Sequence, residues 1–132
     1  MRLFVYGSLL EGEYNHPILM QEFGAVALGP ARTKPEWTMA HVNPHFPGCV
    51  PGGGAVVGEL YEVEENVRDD LDVLEGHPEL YLRTDVELAD GGVAWMYVYR
   101  HSIQGMGLVP NNDWRAFQTA RTEGKKHGIG ND

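Results

Sequence analysis

The chain reads as an α+β protein: a small, mixed, mostly antiparallel sheet of about six strands, curled toward a barrel, with two or three flanking helices. Three observations predict this. Apolar residues alternate with period two over residues 55–63, 80–88 and 93–100. A single stretch, 64–75, carries helical spacing through Val67, Leu71 and Leu74. Seventeen glycines and eight prolines are spread along 132 residues, so turns are many and elements short.

The elements follow in order. Residues 2–6 form a short apolar strand that stops at Tyr6-Gly7-Ser8. Residues 7–14 are loop, and His16-Pro17 opens a short helix through Phe23, since proline is tolerated at a helix start. Residues 25–34 read as a strand interrupted by Gly29-Pro30, and Trp37–Ala40 as another. Three prolines and four glycines between His41 and Gly54 predict a long loop without regular structure. Residues 55–63 return to strand. The helix over 64–75 ends at Gly76, which suits a left-handed cap. Residues 80–88 and 93–100 form a hairpin about Asp90-Gly91-Gly92. Asn112 or Asp113 caps a last helix through Trp114, Phe117 and Arg121. Residues 1–122 make one domain, and 123–132 a flexible C-terminal tail.

Composition narrows the function. The net charge is −9 and stays negative even with all six histidines protonated. Without a basic stripe, nucleic-acid and anionic-membrane partners are not expected. One cysteine, Cys49, allows no internal disulfide, which fits a cytoplasmic protein. The short apolar run after Met1-Arg2 is too brief for a signal-peptide core or a membrane span. No dinucleotide or P-loop fingerprint is present.

Two features suggest chemistry. The turn Tyr6-Gly7-Ser8-Leu9 follows a buried strand, and successive backbone N–H groups in such a turn can converge on an anion; it also reads as a plain strand exit. Glu75 sits in the last helical turn, where the macrodipole disfavours a negative charge, and borders the apolar stripe. Burial there would raise its pKa and fit it to carry protons near neutrality; spacing alone equally describes an exposed glutamate at a frayed end. Glu59 is a rival, on the face with Val57, Tyr61 and Val63, and is read as paired with Arg83 or Arg100. Tyr81 and Arg83 share a strand face. His41, His45 and Cys49 recur every four residues, but Pro44 and Pro47 forbid the helix that would gather them, so no metal site is assigned.

Taken together, Phe4-Val5-Tyr6-Gly7-Ser8-Leu9, Asn15-His16, Val57-Gly58-Glu59-Leu60-Tyr61-Glu62-Val63, Leu71-Asp72-Val73-Leu74-Glu75-Gly76 and Leu80-Tyr81-Leu82-Arg83 resemble the gamma-glutamylcyclotransferase-like superfamily, in particular its gamma-glutamylamine cyclotransferase or AIG2-like branch. The resemblance covers roughly residues 3 to 100. It implies a cavity between the 6–9 loop and the helix end, with Tyr6, Gly7, Ser8 and Leu9 binding a gamma-glutamyl group and Glu75 as general acid/base. The implied products are 5-oxoproline and a free amine or amino acid, with no metal or organic cofactor. Two other readings stand beside it: a non-catalytic module binding a small metabolite or a protein, using the 41–54 loop and Trp37, and a metal-dependent hydrolase built on His41, His45 and Cys49.

Overall fold

The computed structural model describes residues 1–131, with side chains through Glu123. Five strands form one sheet in the order β2 (Val26–Arg32), β5 (Val57–Glu62), β1 (Arg2–Val5), β7 (Val93–Tyr99), β6 (Tyr81–Glu87). Only β1 and β7 run parallel; the other neighbours are antiparallel. A separate ribbon pairs β3 (Trp37–Asn43) with β4 (Phe46–Pro51). Two helices complete the fold, α1 (Arg68–Glu75) after a 3-10 turn at Glu65–Val67, and α2 (Trp114–Asn131). A π-type turn spans Ile18–Glu22, within the short helix expected after Pro17.

The sheet is mixed and mostly antiparallel, as the alternation predicts, but it does not close into a barrel. Its edge strands touch at one corner only. There Thr33 bridges Leu88, and the Lys34 N–H donates to the Glu87 carbonyl at 3.0 Å. Beyond that corner the chain turns away through Pro35 into β3, so the ladder ends. β2 also spends a residue on a bulge between Ala27 and Gly29, which twists this edge, at the Gly29-Pro30 interruption seen in the sequence.

The 41–54 segment corrects the loop expectation: most of it is the β3–β4 hairpin. The Asn43 side chain accepts from the N–H groups of His45 and Phe46 at 2.7 and 3.1 Å, folding Asn43-Pro44-His45 into a tight turn. Pro47 and Pro51 are tolerated because a two-stranded ribbon leaves half its backbone positions unpaired.

The core gathers Leu3, Phe4 and Val5 of β1, Met96 of β7, Met39 and Cys49 of the ribbon, Leu71 of α1 and Trp114 of α2, all nearly free of solvent. α1 is short and owes its place to Leu71, which is fully buried. Truncating such a leucine to alanine costs about 2–5 kcal/mol. Asp113 supplies the α2 cap, accepting from the Ala116 N–H at 3.0 Å. The expected flexible tail at 123–132 falls largely on residues whose side chains lie outside those described. Among the described residues, no helix is long and apolar enough to cross a membrane.

Candidate active site

The apolar stripe of α1 buries Leu71 and brings the end of the helix against β1 and β7. One turn before the end, Asp72 receives the Arg83 guanidinium from β6 and, at 2.6 Å, the Tyr97 hydroxyl from β7. These bonds fix the last turn. Gly76 then stops the helix with φ of 66°, a left-handed conformation that costs other residues a Cβ clash, and its N–H returns to the carbonyls of Asp72 and Val73. Glu75, the last helical residue, therefore points where Asp72 does not.

Glu75 is half-buried, and its carboxyl makes no hydrogen bond or ion pair among the described residues. Burial is the cause of its shifted acidity: the carboxyl moves from the ordinary 4.5 up to about 7. Asp69 and Asp70 lie in the first turn of α1, where the dipole welcomes them, whereas Glu75 lies at the opposite end.

β1 delivers the loop. The Tyr6 hydroxyl donates to the Tyr97 carbonyl at 2.6 Å and accepts from the Cys49 N–H at 3.3 Å, pinning the strand exit to β7 and β4. Gly7 is needed for close approach, because a Cβ there would lie 2.9 Å from the Pro47 ring. Asn15 holds the turn from outside. Its N–H donates to the Ser8 carbonyl at 2.8 Å and its side-chain amide to Ser8 Oγ at 3.0 Å. The Leu10 N–H donates back to the Gly7 carbonyl at 3.1 Å. The N–H groups of Gly7, Ser8 and Leu9 have no acceptor among the described residues, which leaves three consecutive donors available to a ligand.

Loop and helix end line one small hollow of about 40 Å³, walled by Tyr6, Gly7, Ser8, Leu9, Phe46, Pro47, Glu75, Tyr81 and Tyr97 together with the end of β1. The Tyr81 hydroxyl donates to the Pro47 carbonyl at 2.6 Å. Burial pushes the Tyr6, Tyr81 and Tyr97 phenols up, and the nearby Glu75 charge adds to each, so they remain protonated donors. Among the described residues no Lys or Arg lines the hollow, and Glu75 is its one carboxyl. The four loop residues and Glu75 singled out in the sequence thus meet in one place.

The other candidates go elsewhere. Glu59 is paired, but with Arg115 of α2 at 2.8 Å, not with Arg83 or Arg100. Arg83 is taken by Asp72, and Arg100 donates to the Pro78 carbonyl. Burial would raise the Glu59 carboxyl, but the Glu11 N–H, Arg115 and the Tyr61 hydroxyl together outweigh it and hold it low. Tyr81 reaches the hollow and Arg83 does not. His41 packs against Trp114 and Phe117 and meets Arg121 through Nε2, and Cys49 is buried in the core with its thiol pushed up by burial. His45 lies in the exposed hairpin turn. Among the described residues no three His, Cys, Asp or Glu side chains gather as metal ligands. Trp37 is half-buried and packs against the core.

Sequence reasoning passed over Tyr97, Asp72, Phe46 and Pro47. Tyr97 lies on the apolar alternation of β7 and reads as plain core. Phe46 and Pro47 lie inside the 41–54 stretch, whose prolines and glycines predict a loop.

The description of AIG2-like gamma-glutamyl cyclotransferases fits residues 3–116 of this chain. The chain belongs to that family. A relative from Vibrio cholerae is 38% identical over 112 residues, which cover 85% of this chain and 93% of the relative. The gamma-glutamylcyclotransferase family protein YtfP of Escherichia coli K12 is 34% identical over 114 residues, covering 86% and 96%. Among solved structures, the crystal structure of an AIG2-like protein from Mus musculus superposes with a TM-score of 0.73 at 26% identity, covering 85% of this chain and 87% of that one. The match through residue 116 carries the resemblance past β7 to the first turn of α2.

Proposed function

We propose that the protein is a gamma-glutamylcyclotransferase, releasing an amine from a gamma-glutamyl amide and closing the glutamyl moiety to 5-oxoproline. The observation that carries the reading is a buried carboxyl, unpaired and shifted to about 7, in the same hollow as three free backbone donors.

The chemistry asks for little more. The substrate's alpha-nitrogen attacks its own gamma-carbonyl carbon, a C–N bond forms, and the bond to the leaving nitrogen breaks. Holding the substrate folded for this attack is worth about 7–11 kcal/mol, and no protein nucleophile is needed. The alpha-ammonium group gives one proton to solvent, and Glu75, ionised near neutral pH, takes a second from the alpha-nitrogen as it bonds to the gamma-carbon. Protonated, it returns that proton to the departing nitrogen, which leaves as a neutral amine. A carboxyl near pH 7 serves both steps, where an ordinary one would be too weak a base. The N–H groups of Gly7, Ser8 and Leu9 are donors to the oxygens of the gamma-glutamyl group, with the Tyr81 and Tyr97 rings shielding them from water. Ser8 needs only its backbone here, since Asn15 engages its hydroxyl.

The test incubates the protein with a panel of gamma-glutamyl amines and dipeptides and measures 5-oxoproline. The proposal expects product from at least one class, lost in Glu75→Gln while the fold is kept. A folded protein that is stabilised by gamma-glutamyl ligands but converts none would instead be a binding module on the same scaffold.

A further inference from the structure

Two adjacent polar residues, Asn15 and His16, hold the 6–9 loop. They head the short helical run that Leu19, fully buried, anchors in the core. The Ile18 and Leu19 N–H groups donate to the Asn15 carbonyl at 3.1 and 3.4 Å, which fixes the head of that run. His16 Nδ1 meets the Leu9 carbonyl at 3.0 Å. A carbonyl only accepts, so Nδ1 is the nitrogen assigned the hydrogen. We propose that His16 is a positioning residue for the reaction: with Asn15 it aims the N–H groups of Ser8 and Leu9 at the substrate, without touching the substrate itself. This inference rests on the cyclotransferase reading above.

In a trans peptide the C=O and the N–H that follows it point in opposite directions. Three consecutive loop carbonyls are each held by the protein. The Gly7 carbonyl accepts from the Leu10 N–H at 3.1 Å, that of Ser8 from the Asn15 N–H at 2.8 Å, and that of Leu9 from His16. Holding the Ser8 carbonyl turns the Leu9 N–H the other way. Holding the Leu9 carbonyl directs the Leu10 N–H onto Gly7, and that bond in turn directs the Ser8 N–H. The Asn15 side-chain amide adds a further hold, on Ser8 Oγ at 3.0 Å. Ser8 and Leu9 line the hollow with Glu75, whereas His16 is not part of its wall. The His16 ring is half-buried and packs on Tyr61 of β5, with centroids 6.0 Å apart. A second proton, on Nε2, would leave the bond from Nδ1 in place. His16 therefore supplies direction to the donors rather than a proton to the reaction.

Two substitutions separate the donor from the ring. His16→Asn sets an amide Nδ2 where Nδ1 stands and gives up the packing on Tyr61. His16→Phe keeps a ring there and has no donor. Both are assayed for 5-oxoproline on the member of the gamma-glutamyl panel, gamma-glutamyl-butylamine included, that the wild type converts fastest, and both are unfolded in urea. His16→Phe is expected to lose about 10- to 100-fold in kcat/KM, the scale of a misaimed donor, with a urea midpoint close to wild type. His16→Asn should show the reverse, a lower midpoint with kcat/KM close to wild type. The rise of kcat with pH that Glu75 sets should be the same in both. If His16→Phe does not fold, His16→Gln, whose amide falls at the position of Nε2, replaces it with the same expected loss. A residue needed only for packing would make activity follow the midpoint. A fully active His16→Phe, or a His16→Asn as slow as His16→Phe, would overturn the proposal and leave the cyclotransferase reading intact. A changed pH profile in either variant would make His16 a proton carrier and overturn it too. If folded wild type forms no 5-oxoproline from any member of the panel, that reading fails and this inference with it.

Discussion

Asp72 and Glu75 lie one turn apart on the same short helix and meet opposite fates. Asp72 turns toward β6 and β7, where Arg83 and the Tyr97 hydroxyl receive it; burial alone would raise its pKa, but these partners win and hold it low. Glu75 turns toward the loop after β1, finds no partner, and burial moves it to about 7. The difference teaches that burial does not decide a carboxyl's role. Its partners do: a satisfied acid fastens the helix, and an unsatisfied one is left able to exchange its proton. Glu59 of β5 repeats the first case, with Arg115, the Glu11 N–H and Tyr61.

The largest effect should come from removing the unsatisfied member. Glu75→Gln is expected to lower 5-oxoproline formation by about 10²- to 10⁴-fold, the range of general acid–base catalysis, with an unchanged circular dichroism spectrum. Retained turnover would erase the distinction between the two acids.

Next comes the pH dependence of stability. Glu75 binds its proton more tightly in the folded chain than in the unfolded one. Its ionisation therefore costs the fold nothing below about pH 4.5, and the cost grows until pH passes 7. The shift corresponds to a loss on the order of 3 kcal/mol. Glu75→Gln should accordingly be more stable than wild type at pH 8, with the gap closing toward pH 5, as denaturant titrations at each pH would read. Asp72 has the opposite sign: its stabilisation is present at neutral pH and fades only in acid.

Breaking the satisfied member should act first on the fold. Asp72→Ala leaves Arg83 and Tyr97 without their acceptor and is expected to cost about 1–3 kcal/mol in urea unfolding, with a partial loss of turnover because the helix end loosens. Tyr97→Phe removes one of those bonds and should cost about 1 kcal/mol. The smallest effect belongs to Glu59→Gln. Its partner Arg115 is exposed, so the change should stay within about 1 kcal/mol and leave turnover of gamma-glutamyl-butylamine near wild type.

Much of this was legible from the chain. Alternation located β5, β6 and β7, and Leu71 with Gly76 bounded α1, because these are local periodicities that a sequence displays. Glu75 and the 6–9 loop were legible as a pair because each breaks a local rule, an acid at the wrong helix end and a strand stopped by a turn. What stayed hidden depends on distant contacts. The ribbon of β3 and β4 was masked by prolines that only the pairing register excuses. Barrel closure turned on one corner contact between Thr33 and Leu88. The partner of Glu59 lay 56 positions away on α2, whereas Arg83, nearer in sequence, belonged to Asp72.

The most direct measurement is a carbon-13 titration of the Glu75 carboxyl in the ligand-free protein, assigned by the signal lost in Glu75→Gln. A midpoint near pH 7, beside an Asp72 signal that stays ionised through the same range, is the predicted result. A Glu75 midpoint near 4.5, as for a solvated glutamate, would contradict it and leave the hollow without its proton carrier.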